Sequence, residues 1–85
     1  MENRQAIIAW VSQLVKDLVE TPEDLSFKAT VDEKGLLITV YAPKQELGGL
    51  IGKQGRIAEA LRTIVNIYGS KKNARVALKI DDAGR

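Results

Sequence analysis

The tetrapeptide Gly52-Lys53-Gln54-Gly55 interrupts an otherwise helical pattern and constrains the fold more than any other stretch of this chain. Before it, Lys44 to Ile51 reads as a short helix ending on the apolar pair Leu50-Ile51, with Gly52 where a C-terminal cap glycine belongs. After it, Ile57, Leu61, Ile64, Val65 and Tyr68 recur on one helical face, and Gly69 reads as the stop. A G-x-x-G alone says little: at a glycine frequency of about 7%, a chain of this length shows one by chance about 0.4 times. The neighbours carry the signal. Lys53 and Gln54 are poor core residues, so the loop tip is expected to face water. Gly52 and Gly55 present no Cβ and let the backbone approach a ligand closely. Arg56 and the free N–H groups of the next helical turn suit a phosphate. The overlapping frame Gly49-Leu50-Ile51-Gly52 encloses aliphatics and reads as packing. A plain corner between two helices accounts for Gly52 but not for a glycine at position 55, where a helix begins.

The remaining pattern supplies the frame. Residues 3–19 read as an amphipathic helix, with Ile7, Val11, Leu14, Val15 and Leu18 on the apolar face. Trp10 reads as a core or flanking residue rather than a stacking platform. Glu20 to Asp24, containing Pro22, ends the helix. Leu25, Phe27, Ala29 and Val31 alternate with polar residues as a half-buried strand, Asp32 to Gly35 turns, and Leu36 to Ala42 forms a second strand closed by Pro43. The short turn makes these two an antiparallel hairpin. Gly48 and Gly49 are expected to allow close packing of the short helix. Val76, Leu78 and Ile80 mark a third strand, and Asp81 to Arg85 a frayed tail. The order is α-β-β-α-α-β. It describes one α+β domain over residues 1–85, with an ordered core of about 3–81 and a three-stranded sheet carrying helices on one face. The order of the strands in the sheet stays open.

Charge is distributed unevenly. The net charge is +2, yet residues 1–43 carry four basic and seven acidic groups, and residues 44–75 carry seven basic and two acidic, a net of +5 around the glycine loop. An anionic ligand needs its positive field there. The chain has no cysteine and no histidine, which excludes a disulfide framework, the usual zinc sites and His-based acid–base chemistry. Neither metal nor cofactor is expected. Asp81 and Asp82 are adjacent but have no pocket to shift their pKa values. No nucleophile has an evident neighbouring base, so an enzyme is not expected. A Walker A loop would need glycine at Leu47 and Ser or Thr at Gln54; a dinucleotide fingerprint would need glycine at Leu50 and a preceding strand. No apolar run approaches the length of a membrane span, and the first residues resemble neither a signal nor a transit peptide. A soluble cytoplasmic protein is the expectation.

The run Leu50-Ile51-Gly52-Lys53-Gln54-Gly55-Arg56-Ile57 resembles the signature of the KH domain, whose G-x-x-G loop clamps about four backbone nucleotides of a single strand. Extended through Ala58-Glu59-Ala60-Leu61-Arg62-Thr63, it is similar to the small bacterial single-KH proteins of the KhpA family, over nearly the whole chain. Gly49 departs from that pattern, standing where a basic residue is expected before the aliphatic pair. The element order is that of the type II KH fold. The resemblance implies a binder of single-stranded RNA, with single-stranded DNA left open as a further ligand. Gly52 and Gly55 would give backbone clearance. Lys53 and Arg56 would neutralise phosphate, and Gln54 would hydrogen-bond backbone oxygens. Ile51, Ile57 and Leu61 would form an apolar floor, with Arg62 facing either solvent or the backbone path. With only four aromatics, none near the loop in sequence, base stacking of the RRM or OB kind is disfavoured. Lys71 and Lys72 read as solvated loop charges. The family resemblance also implies a homodimeric RNA chaperone that pairs with a larger KH protein of the KhpB (Jag) type and influences cell elongation. The alternative is a KH-fold scaffold that acts mainly through such a protein partner.

Overall fold

The fully buried apolar alternation of residues 36–42 sets the architecture. Leu36, Ile38, Val40 and Ala42 are each no more than 2% exposed, so every second residue of this strand points into a core. In the computed structural model, which describes residues 4–84, the elements are α1 (Arg4–Lys16), β1 (Ser26–Asp32), β2 (Gly35–Ala42), α2 (Lys44–Ile51), α3 (Arg56–Lys71) and β3 (Val76–Asp82). Short 3-10 turns lie at Pro22–Asp24 and Lys53–Gly55. The expected α-β-β-α-α-β order and α+β class are borne out. β2 is central, antiparallel to β1 and parallel to β3, giving the order β1-β2-β3 that the sequence pattern left open. Ile7, Val11 and Val15 of α1, Leu50 of α2, and Leu61 and Val65 of α3 cluster with the β2 side chains and with Val76 and Leu78. Each fully buried aliphatic of this size contributes about 1.5–3 kcal/mol.

Several boundaries and roles differ from expectation. α1 stops at Lys16, not at residue 19, and residue 3 lies outside the described residues. Beyond Lys16 the hydrogen bonds tighten from Asp17 N–H to Gln13 O into i→i+3 links, Leu18 to Val15 and Val19 to Lys16. Leu18, expected on the apolar face, is 49% exposed. The early stop brings Thr21 to α2. Its N–H and hydroxyl donate to Oε2 of Glu46 at 2.8 and 2.6 Å, while the Glu20 N–H reaches Oε1 at 3.4 Å. On β1, Phe27 is half-buried but Ala29 and Val31 are exposed, because β1 is an edge strand whose far end the helices do not cover.

Gly48 and Gly49 are exposed, and a Cβ on either would meet nothing within 4 Å, so they are not close-packing glycines. Gly69 does not stop α3 but lies buried inside it. A Cβ there would sit 2.8 Å from Cγ2 of Val76 and 2.9 Å from the Ala74 carbonyl, so glycine is what lets α3 lie against the start of β3. The helix ends two residues later, before Asn73 at φ 58°. β3 runs two residues past its expected end. Asp81 and Asp82 pair with Tyr41 and Ala42, and the Ala83 N–H donates to the Ala42 carbonyl, so these residues belong to the sheet rather than to a frayed tail. No helix among the described residues is long and apolar enough to cross a membrane.

Candidate nucleic-acid interface

The β2–α2 junction aims the loop. Pro43 follows β2 directly, and the N–H groups of Glu46 and Leu47 donate back to its carbonyl, starting α2 without a side-chain cap. Glu46, 7% exposed, then anchors the first turn of α2 to Thr21. The Thr21 hydroxyl is the main cause holding the Glu46 carboxyl below its ordinary value of 4.5; the Thr21 and Glu20 N–H groups act the same way, and desolvation opposes them. Leu50, fully buried, pins the other end of α2.

Gly52 terminates α2 with its N–H on the Gly48 carbonyl, at φ 77° and ψ 175°. It is a helix-ending glycine, as expected, although not in the left-handed conformation usual for such caps. A Cβ here would lie 2.6 Å from Cγ1 and 2.9 Å from Cδ1 of Ile57, so the chain folds back over Ile57 only because the residue is glycine. Gln54 and Gly55 are both left-handed, at φ 58° and 73°. Gly55 therefore has a backbone reason to be glycine that a helix-corner reading of the sequence missed. Around its missing Cβ there is open space to 4 Å, which leaves the backbone approachable.

Lys53, Gln54 and Arg56 are all exposed, as the loop reading required. Arg56 Nη2 donates to Gln54 Oε1 at 3.3 Å, which turns the amide NH2 of Gln54 into the free end of that side chain. No side chain caps α3, whose leading turn directs its N–H groups toward the loop. Ile51 and Ile57 are 40% and 39% exposed and flank the loop as apolar surface; Ile51 is thus not the packing residue its glycine frame implied. Leu61 is only 3% exposed and belongs to the core, so it can support a groove but offers no floor to a ligand. Arg62 is exposed. The loop thus unites Gly52, Lys53, Gln54, Gly55 and Arg56 with Ile51 and Ile57, leaves Arg62 further along α3, and withdraws Leu61.

Trp10 flanks the core. It is 38% exposed and stacks on Tyr68 with ring centroids 4.0 Å apart and planes 6° apart. Lys72 lies 5.6 Å from the Tyr68 ring centroid, so it is not simply a solvated charge. The spacing of α3 hides one further feature. Ile57, Ala60, Ile64 and Ile67 form an outer stripe, with Ile64 44% and Ile67 53% exposed. Periodicity alone had put Ile57 and Ile64 on the face of Leu61 and Val65.

Known proteins match this chain in sequence and in fold. The family model described as KhpA/KhpB, KH domain, matches residues 9–80. This chain belongs to that family. Similar curated proteins include an RNA-binding protein KhpA of Aquifex aeolicus, 41% identical over 70 residues that cover 82% of this chain and 89% of that one. Another, from Listeria monocytogenes, is 39% identical over 70 residues covering 82% and 92%. A third, from Clostridium perfringens, is 36% identical over 70 residues covering 82% and 93%. Among solved structures, a crystal structure of Aquifex aeolicus Era superposes with a TM-score of 0.64 at 15% identity, over 96% of this chain and 31% of that one, a likeness of fold alone. Within this frame the mixed sheet with its helices is the type II KH arrangement.

Proposed function

We propose that this chain binds single-stranded RNA without catalysis, holding about four backbone nucleotides on the loop from Gly52 to Gly55. The observation that carries the reading is the exposed loop itself. Its backbone is open at Gly55, and Lys53, Gln54 and Arg56 surround it with donors and positive charge. Lys53 and Arg56 neutralise phosphate, the Gln54 amide donates to backbone oxygens, and Ile51 and Ile57 give bases an apolar wall. The names of the KhpA relatives support RNA as the ligand. With one small clamp and no aromatic platform beside it, sequence selectivity is low, a property that suits a cytoplasmic chaperone of many RNAs. The test is titration of random-sequence RNA against the chain and against Lys53→Asp/Gln54→Asp. The variant keeps its circular dichroism spectrum, since surface changes usually move stability by less than about 0.5 kcal/mol, and loses binding. Parent-like affinity in the folded variant refutes the clamp.

The outer stripe of α3 supports a second property, self-association. Beyond Ile57, which faces the loop, Ala60, Ile64 and Ile67 recur at three- and four-residue spacing, the pattern of a helix that packs against a partner helix. A homodimer through this face buries it, and a larger KhpB-type KH protein would compete for the same stripe. Ile64→Asp is expected to give a monomer by sedimentation where the parent is dimeric. A parent that stays monomeric at high micromolar concentration excludes the homodimer.

A further inference from the structure

The face of α3 opposite the isoleucine stripe is polar, and it leads away from the loop. Arg62, Asn66 and Ser70 are each exposed and stand four residues apart, so they form one row along the helix. The row ends at an open cleft of about 510 Å3, the size of a site for a nucleoside-sized ligand. Asn66 and Ser70 line one side of it, and Lys34, Gly35, Leu36, Arg75 and Val76 line the hairpin and β3 side. The mouth is built firmly. The Leu36 N–H donates to the Arg75 carbonyl at 2.8 Å, and Gly35, at φ 129°, packs so closely that a Cβ there would lie 2.7 Å from that of Arg75. The charged residues lining it are two cations, Lys34 and Arg75, and one carboxylate, Asp32. Its Oδ1 is turned into its own loop, accepting the Lys34 N–H at 2.8 Å.

We propose that this cleft receives one further nucleotide of the strand held by the KH loop, with the phosphate on the exposed Arg75 and with Asn66 and Ser70 hydrogen-bonding the base edge or ribose. The proposal rests on the RNA reading above and extends its footprint beyond four nucleotides. Reach is adequate. From Gly55 to Asn66 and Ser70, α3 advances about 17 to 22 Å at 1.5 Å per residue. A stacked strand covers that in about five to seven nucleotides at roughly 3.4 Å each. Arg62 lies under this path and meets an intervening phosphate. Charge complementarity and continuity with the loop favour a nucleotide over an apolar peptide.

The experiment compares the parent with Asn66→Ala/Arg75→Ala on fluorescein-labelled random-sequence RNAs, a tetramer and a dodecamer, at one fixed salt concentration. Lys28→Ala, which removes a cation from β1 outside the cleft, is the charge control. The double variant should match the parent on the tetramer and bind the dodecamer about tenfold more weakly, the loss expected of one charge-assisted hydrogen bond. Comparing variants at a fixed length cancels the extra registers that a dodecamer offers. Equal dodecamer affinity in variant and parent overturns the cleft. So does an equal loss on both lengths, or a loss matched by Lys28→Ala, because diffuse charge then explains it. A parent that binds neither RNA removes the RNA reading and the cleft with it. Tetramer binding abolished by Lys53→Asp/Gln54→Asp, without a dodecamer effect of the cleft variant, sinks the cleft alone.

Discussion

At Gly52 two demands coincide: a φ of 77° with ψ 175°, a region nearly closed to residues with a Cβ, and the Cγ1 of Ile57 where that Cβ would stand. At Gly55 only the first kind applies, since its left-handed backbone is surrounded by open space. The two glycines of the loop are therefore unequal. Gly55→Ala is expected to cost about 1 kcal/mol, the ordinary penalty of a left-handed alanine. Gly52→Ala should cost about 2–4 kcal/mol, combining backbone strain with overlap. In a domain of this size each kcal/mol lowers Tm by about 4–8 °C, so differential scanning calorimetry separates them. Ile57→Ala removes the obstructing side chain, and the Gly52→Ala penalty measured in that background should shrink; a cost unchanged by Ile57→Ala refutes the contact. Both glycines were legible in the sequence as a loop. The Ile57 contact was not, because it joins residues that the helical pattern assigns to different elements.

Between elements, the tether from Thr21 to Glu46 fixes where α2 starts and hence where the loop points. Its consequence is acid sensitivity. The folded-state pKa of Glu46 lies below its ordinary value of 4.5, chiefly through the Thr21 hydroxyl. Ionised Glu46 therefore stabilises the fold fully above pH 4.5, and this contribution is lost as pH falls through the lower folded value. Thermal unfolding followed from pH 6 to pH 3 should decline less steeply below pH 4.5 in Glu46→Gln than in the parent. Identical slopes would remove Glu46 from the acid response. Thr21→Val takes away the strongest donor and should shift the parent's acid transition to higher pH. Hydrophobic periodicity revealed α1, α3 and the three strands, because those residues bury one face; α2 was legible instead from Pro43 before it and Gly52 after it, and the 3-10 turns were not legible. It misjudged the end of α1 and the role of Gly69, where tertiary partners decide: Glu46 draws the chain off the helix at Thr21, and the start of β3 packs on Gly69 so that α3 continues through it. The exposure of Val31 follows from strand order, which alternation along a single strand does not encode.

Over the whole molecule, the charge arrangement distinguishes a local clamp from a diffuse basic surface. Residues 44–75 hold seven basic groups, but only Lys53 and Arg56 belong to the loop, with Lys44 at the start of α2 and Arg62 further along α3. If those two and one neighbour neutralise two or three phosphates of a short RNA, affinity falls with salt at a log–log slope of about −1.4 to −2.1, at roughly −0.7 per phosphate on a single strand. All seven acting together would give a slope near about −5. Backbone N–H groups at the uncapped start of α3 add affinity without a cation and keep the slope shallow. Anisotropy titrations of a tetranucleotide across a range of salt concentrations measure it directly. Arg56→Ala should reduce the slope by about 0.7 and weaken all sequences alike, whereas Lys28→Ala, on the far edge strand, should leave it unchanged. A slope steeper than about −4, or an equal response to the two substitutions, would mean that the net field of the protein, not the glycine loop, holds the nucleic acid.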